Sequence, residues 1–179
     1  MSSVKVKGIP NLITLGRLIA AILVVILVSI EGTARTVGGV LFLAASLSDM
    51  ADGYIARSTG QVTEIGKLAD PVADKILLLS GVLPLVRHGE VSPFLALVIF
   101  SREFAVMGLR CVAAARGKVL EADVGGKLKT ALYTVAVTAL IFGADLFGLY
   151  TLYMGVVISV LSAFNYFRKN LSLLTEGGV

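Results

Sequence analysis

Charge is scarce in this sequence. Of its 179 residues only 16% are Asp, Glu, Lys or Arg, against 56% that are hydrophobic. A soluble domain carries about 25% charged residues, so this chain has too few to cover a water-exposed surface or to furnish a second, soluble domain. Cysteine is nearly missing as well: Cys111 stands alone, which excludes an intrachain disulfide and any small disulfide scaffold. Strand-like alternation of apolar and polar residues is absent, which argues against a membrane barrel.

What remains is a very apolar chain with a mean hydropathy of +0.91, and its natural solvent is a bilayer. Six spans of about 20 residues would use about 120 residues and leave about 60 for loops and ends. Lipid cannot satisfy exposed backbone groups, so the spans are expected to be helices. The predicted fold is therefore all-α: one polytopic membrane domain over residues 1–179 with six transmembrane helices. Stretches poor in charge place these over Asn11–Ile30, Thr36–Arg57, Glu64–Val86, Ser92–Gly117, Thr130–Ala144 and Leu146–Phe167. The first resembles a signal peptide, with Lys5 and Lys7 ahead of an apolar run. Its length and the spans that follow favour a retained helix. Residues 2–8 suit either an interfacial segment or a flexible tail.

The net charge of +4 is better explained by membrane orientation than by nucleic acid. With both termini on one side, that side receives Lys5, Lys7, Arg57, Lys67, Arg116, Lys118, Lys127, Lys129, Arg168 and Lys169, and the other only Arg35 and Arg87. Ten against two puts both termini in the cytoplasm.

The informative residues are polar ones inside the predicted spans. A charge at membrane depth costs at least about 2.5–3.5 kcal/mol even on a lenient scale, so it normally faces an interior or a wet cavity. Basic residues near helix ends can snorkel to the interface. Asp49, Asp52, Asp70 and Asp74 cannot, because their side chains are short. Asp49 and Asp52 are three apart, Asp70 and Asp74 four apart, so each pair shares a helical face. Only a short loop separates the two helices, so the pairs are predicted to meet on antiparallel neighbours. Four converging carboxylates would raise one another's pKa values, and a bound cation removes that problem. Hard oxygen donors without a His or thiolate cluster favour Mg²⁺ or Mn²⁺, with room for two ions. Gly53, Ala56 and Gly66 clear the carboxylate face for a bulky ligand. Arg57 beside them suits a phosphate by a forked pair of hydrogen bonds. The combination points to phosphoryl-group transfer at a membrane surface.

The stretch Asp49-Met-Ala-Asp52-Gly53-Tyr-Ile-Ala56-Arg57, followed by Gly66, Asp70 and Asp74 at fixed spacing, resembles the signature of the CDP-alcohol phosphatidyltransferase family without a gap. The resemblance implies a six-helix membrane enzyme, usually a homodimer, that displaces CMP from a CDP-linked lipid. Asp49, Asp52 and Asp70 would bind metal, and Asp74 would bind metal and act as general base. Asp52, Gly53, Ala56, Arg57 and Gly66 would line the CDP-lipid site, with Thr63 in the loop and Asn11, Thr14 and Arg17 from the first helix. Other segments, Ile9–Arg17, Leu68–Lys75, Arg102–Arg110 and Gly126–Thr130, are similar to the bacterial branch that uses sn-glycerol 3-phosphate as acceptor. That implies CDP-diacylglycerol as donor, in the bacterial cytoplasmic membrane, with the active site facing the cytoplasm.

An anionic acceptor needs cations that the nucleotide does not use; Arg102, Arg110, Lys127 and Lys129 are the candidates. Lys75 is expected to pair with Glu103 or another acid, Pro71 to free a carbonyl or mark a kink, and the tyrosines give no functional signal. Two alternatives stand beside this expectation. One is the same chemistry with inositol phosphate, serine or phosphatidylglycerol as acceptor. The other is a divalent-cation transporter, which explains the aspartates but neither Arg57 nor the glycines, and which would often show an internal repeat that is absent here.

Overall fold

The computed structural model describes the backbone of residues 9–59, 64–117, 120 and 124–170, and the side chains of 14–48, 71–117, 120 and 125–170. These residues form six helices and no strand: α1 (Ile9–Val28), α2 (Thr33–Thr59), α3 (Glu64–Arg87), α4 (Pro93–Ala115), α5 (Val124–Ile141) and α6 (Asp145–Lys169). Five of the six expected helices agree to within a few residues at each end. The fifth starts six residues before the expected Thr130, because a helix propagates through Lys127 and Lys129 wherever their charge is exposed or paired. Residues 2–8 lie outside the described ones.

The chain divides into two compact units, 1–88 with α1–α3 and 89–179 with α4–α6. In the first, α1 packs against both α2 and α3. Its buried stripe is Thr14, Arg17, Ala21, Val24 and Val28, spaced by three and four residues as one helix face requires. That stripe is polar at the N-terminal end and apolar beyond Ala21. The apolar half packs closely on α2. A Cβ added at Gly38 would lie 2.7 Å from Val28 Cγ2 and 3.0 Å from its backbone nitrogen, so only glycine permits this approach. Helix α3 runs unbroken through Pro71 and Pro84.

In the second unit α6 packs against α5 and α4. The buried face of α6 is Gly148, Leu152, Gly155, Ser159, Ser162 and Tyr166, again at three-and-four spacing. Tyr133 of α5 lies over Gly155, where a Cβ would come within 3.0 Å of its ring. Small residues that let backbones approach are how helices associate where lipid removes the hydrophobic drive between them. Local signals set the helix ends. Ser92 caps α4, its hydroxyl accepting from the Phe94 amide at 3.3 Å, with Pro93 in the first turn. At the end of α5, Gly143 adopts φ +80° while its amide reaches Leu140 O and that of Ala144 reaches Ala139 O. This is the double bond of a Schellman turn, which needs a left-handed residue.

Outward faces are apolar. On α6 the exposed residues run from Leu146, 74% exposed, through Tyr150, Met154, Val157 and Leu161 to Phe164. The stripe is roughly 27 Å long at the helical rise, close to the ~30 Å of a bilayer's hydrocarbon core. Among the described residues α6 is the one helix both long and apolar enough to cross a membrane, while Thr14–Val28 and Thr33–Ser48 are shorter apolar segments. In α4 the charged residues Arg102, Glu103 and Arg110 interrupt the apolar run.

Candidate active site

The four aspartates lie on consecutive helices of the first unit. Asp49 and Asp52 fall in the last three turns of α2, Asp70 and Asp74 in the first three turns of α3. Both pairs thus lie near the connection between the two helices, and the buried stripe of α1 is polar at its N-terminal end. Thr14 and Arg17 are buried there, at 5% and 6% exposure. The side chains of Asn11, Asp49, Asp52, Gly53, Ala56, Arg57, Gly66 and Asp70 lie outside the described ones, as does Thr63 altogether. Among the described residues no three His, Cys, Asp or Glu side chains gather. Asp74 is half-buried and forms an ion pair with Lys75. Lys75 thus reaches an acid that is its neighbour in sequence, by a flexible four-carbon stem although adjacent helix positions diverge. An all-carboxylate donor set on these turns fits a hard divalent cation.

Glu103 is engaged in the second unit. Its carboxylate, on a residue 2% exposed, accepts from Arg102 Nη1 at 3.2 Å and pairs with Lys129 of α5. Arg102 also crosses to α6: Nε donates to Ser159 O at 2.9 Å and Nη2 to Ser162 Oγ at 3.2 Å. Lys129 is buried too, with its ammonium 5.7 Å from the centre of the Tyr133 ring, within cation–π range. Tyr133 in turn lies beside Ser159 and in the field of Arg102. Two cations and one anion therefore join all three helices in the unit's interior.

Two turns further along α4, the half-buried Arg110 donates to Tyr166 Oη at 3.3 Å and to Leu120 O at 3.4 Å. Of the four cations named from sequence, Arg102 and Lys129 thus share one buried cluster. Arg110 lies against the end of α6 and the segment leading into α5, and Lys127 is exposed on the first turns of α5. Sequence reasoning missed Tyr133, Ser159, Ser162 and Tyr166. The serines and Tyr166 had a signal, the small-and-polar stripe on α6. Tyr133 had none, because only α5–α6 packing brings it there.

Comparison with known proteins adds a family and several relatives. A family model described as CDP-alcohol phosphatidyltransferase matches residues 7–161. A Bacillus subtilis protein named CDP-diacylglycerol–glycerol-3-phosphate 3-phosphatidyltransferase is 37% identical over 91% of this chain and 95% of its own length. A protein of the same name from Rickettsia typhi is 33% identical over 90% and 96%. A Mycobacterium tuberculosis protein named probable phosphatidylglycerophosphate synthase is 34% identical over 74% of this chain and 65% of its own length.

Proposed function

The chain belongs to the CDP-alcohol phosphatidyltransferase family, and we propose that it transfers the phosphatidyl group of CDP-diacylglycerol to sn-glycerol 3-phosphate, giving phosphatidylglycerophosphate and CMP. The observation that carries this is the nearly full-length likeness to relatives bearing that enzyme's name. In this mechanism Asp74 takes the proton from the acceptor's 1-hydroxyl. The freed oxygen forms its bond to the phosphatidyl phosphorus as the bond to the CMP oxygen breaks. Asp49, Asp52, Asp70 and Asp74 would hold two ions of Mg²⁺ or Mn²⁺, which would supply charge neutralisation at the diphosphate when bound. Gly53, Ala56, Arg57 and Gly66 receive the CDP moiety, with Thr63 and, from α1, Asn11, Thr14 and Arg17. Arg102 and Arg110, with Lys127, attract the acceptor's phosphate, for which guanidinium groups offer forked donors.

The setting proposed is the bacterial cytoplasmic membrane, crossed six times, with both termini and the site on the cytoplasmic side. Apolar outward faces and buried charges support it, as does the ten-to-two bias of basic residues. The homodimer rests on the family resemblance. The test is CMP release by the purified protein with CDP-diacylglycerol, Mn²⁺ and a panel of acceptors, with the lipid product identified. Glycerol 3-phosphate is expected to react. If it is inert while inositol phosphate, serine or phosphatidylglycerol reacts, the acceptor assignment fails; no CMP with any acceptor removes the enzyme reading.

A further inference from the structure

Lys129 differs from the other cations assigned to the acceptor. Lys127, two residues before it, is exposed. The Lys129 side chain is 6% exposed, its ammonium bound to Glu103 and close to the face of Tyr133. Glu103, which has no part in the proposed chemistry, is the most deeply buried charged group of the cluster. A buried acid beside cations meant for an anionic substrate works against binding unless something else balances it, since an unpaired charge in such a place is strongly unfavourable.

We propose that Lys129 is the counter-ion of Glu103 rather than a ligand of the acceptor, and that this pairing keeps the charge of Glu103 from offsetting that of Arg102. Glu103 then acts as a positioning residue. Its carboxylate orients one edge of the Arg102 guanidinium, Ser159 O and Ser162 Oγ hold the others, and Lys129 cancels the charge that Glu103 would otherwise impose on Arg102. This rests on the acceptor being anionic, as proposed above, and concerns how its phosphate meets Arg102 with the charge of Glu103 offset by Lys129 at close range.

A charge cycle tests it: Lys129→Met, Glu103→Gln and both together, in the full-length protein purified in detergent. Lys129→Met leaves Glu103 to neutralise Arg102, and KM for glycerol 3-phosphate is expected to rise at least about tenfold while KM for CDP-diacylglycerol stays within about twofold. The double variant restores the net charge, and the amide oxygen that Glu103→Gln supplies can still accept from Arg102. Its KM for glycerol 3-phosphate is expected to return to within about threefold of the unaltered protein. Thermal melts supply a reading independent of the acceptor: each single variant melts lower than the double. A double variant as impaired as Lys129→Met would make Lys129 an acceptor ligand, and an unchanged KM in Lys129→Met would remove the charge-balancing role. If the unaltered protein does not use glycerol 3-phosphate, the proposed acceptor falls, and the melts still decide whether the pair balances.

Discussion

The two units arrange their charges in opposite ways. In α1–α3, acids cluster in sequence, two on each of two consecutive helices, at spacings that backbone geometry alone puts on one face. In α4–α6, the interior charges come from Arg102 and Glu103 on one helix and Lys129 on another, and their partners Ser159 and Ser162 lie far along the chain. The first arrangement is local, and acids spaced this closely in sequence call for cations to offset them, as Lys75 does for Asp74. The second is non-local and answered by partners within the unit, which is how a poorly solvated interior tolerates charge. Acids set beside acids advertise a ligand; acids answered by cations describe a scaffold.

Substitutions can break or sharpen this contrast. The largest expected effect is in the first unit: Asp74→Asn should lower CMP release by about 10²–10⁴-fold, the usual contribution of a general base, with little change in thermal stability. Release near the unaltered rate would remove Asp74 as the base and with it the idea that this unit's acids do chemistry.

Next come the close helix contacts. Gly38→Ala would drive a methyl group against Leu27 Cβ and the Val28 backbone, which cannot rotate away, whereas at Gly148 it would meet mainly the Leu140 side chain. Both are expected to destabilise by about 1–3 kcal/mol, Gly38→Ala more. Thermal melts of the pair test this, and the reverse order would mean that the α5–α6 seam is the stiffer of the two.

The smallest effect is at Gly108 of α4, where an added Cβ meets nothing within 4 Å. There Gly108→Ala should be neutral or stabilise by up to about 1 kcal/mol through helix propensity. A clear loss of stability would expose a packing role on that face.

Much of this was legible without a structure. The helices were readable because a lipid-facing segment must be long and poor in charge, and five of the six agree closely in extent. The exception, α5, shows the limit of that criterion: Lys127 and Lys129 looked like a loop until Lys129 was found paired inside. The aspartates were readable because i, i+3 and i, i+4 relations are fixed by helical geometry. For Lys75 an acidic partner was readable, but that Asp74 is among its partners depends on where its flexible stem comes to rest.

By itself, then, the sequence determined the all-helical architecture, the places of most helices and the four acids of the signature, all of which follow from composition and from spacings within a turn or two. Only the tertiary structure decided that Glu103 belongs to Arg102 and Lys129, that Ser159 and Ser162 hold the guanidinium, and that two cations two residues apart, Lys127 and Lys129, have different surroundings. Those outcomes depend on which faces of α4, α5 and α6 meet, and that is settled by close packing along a stripe of small residues that carries no charge and names no partner.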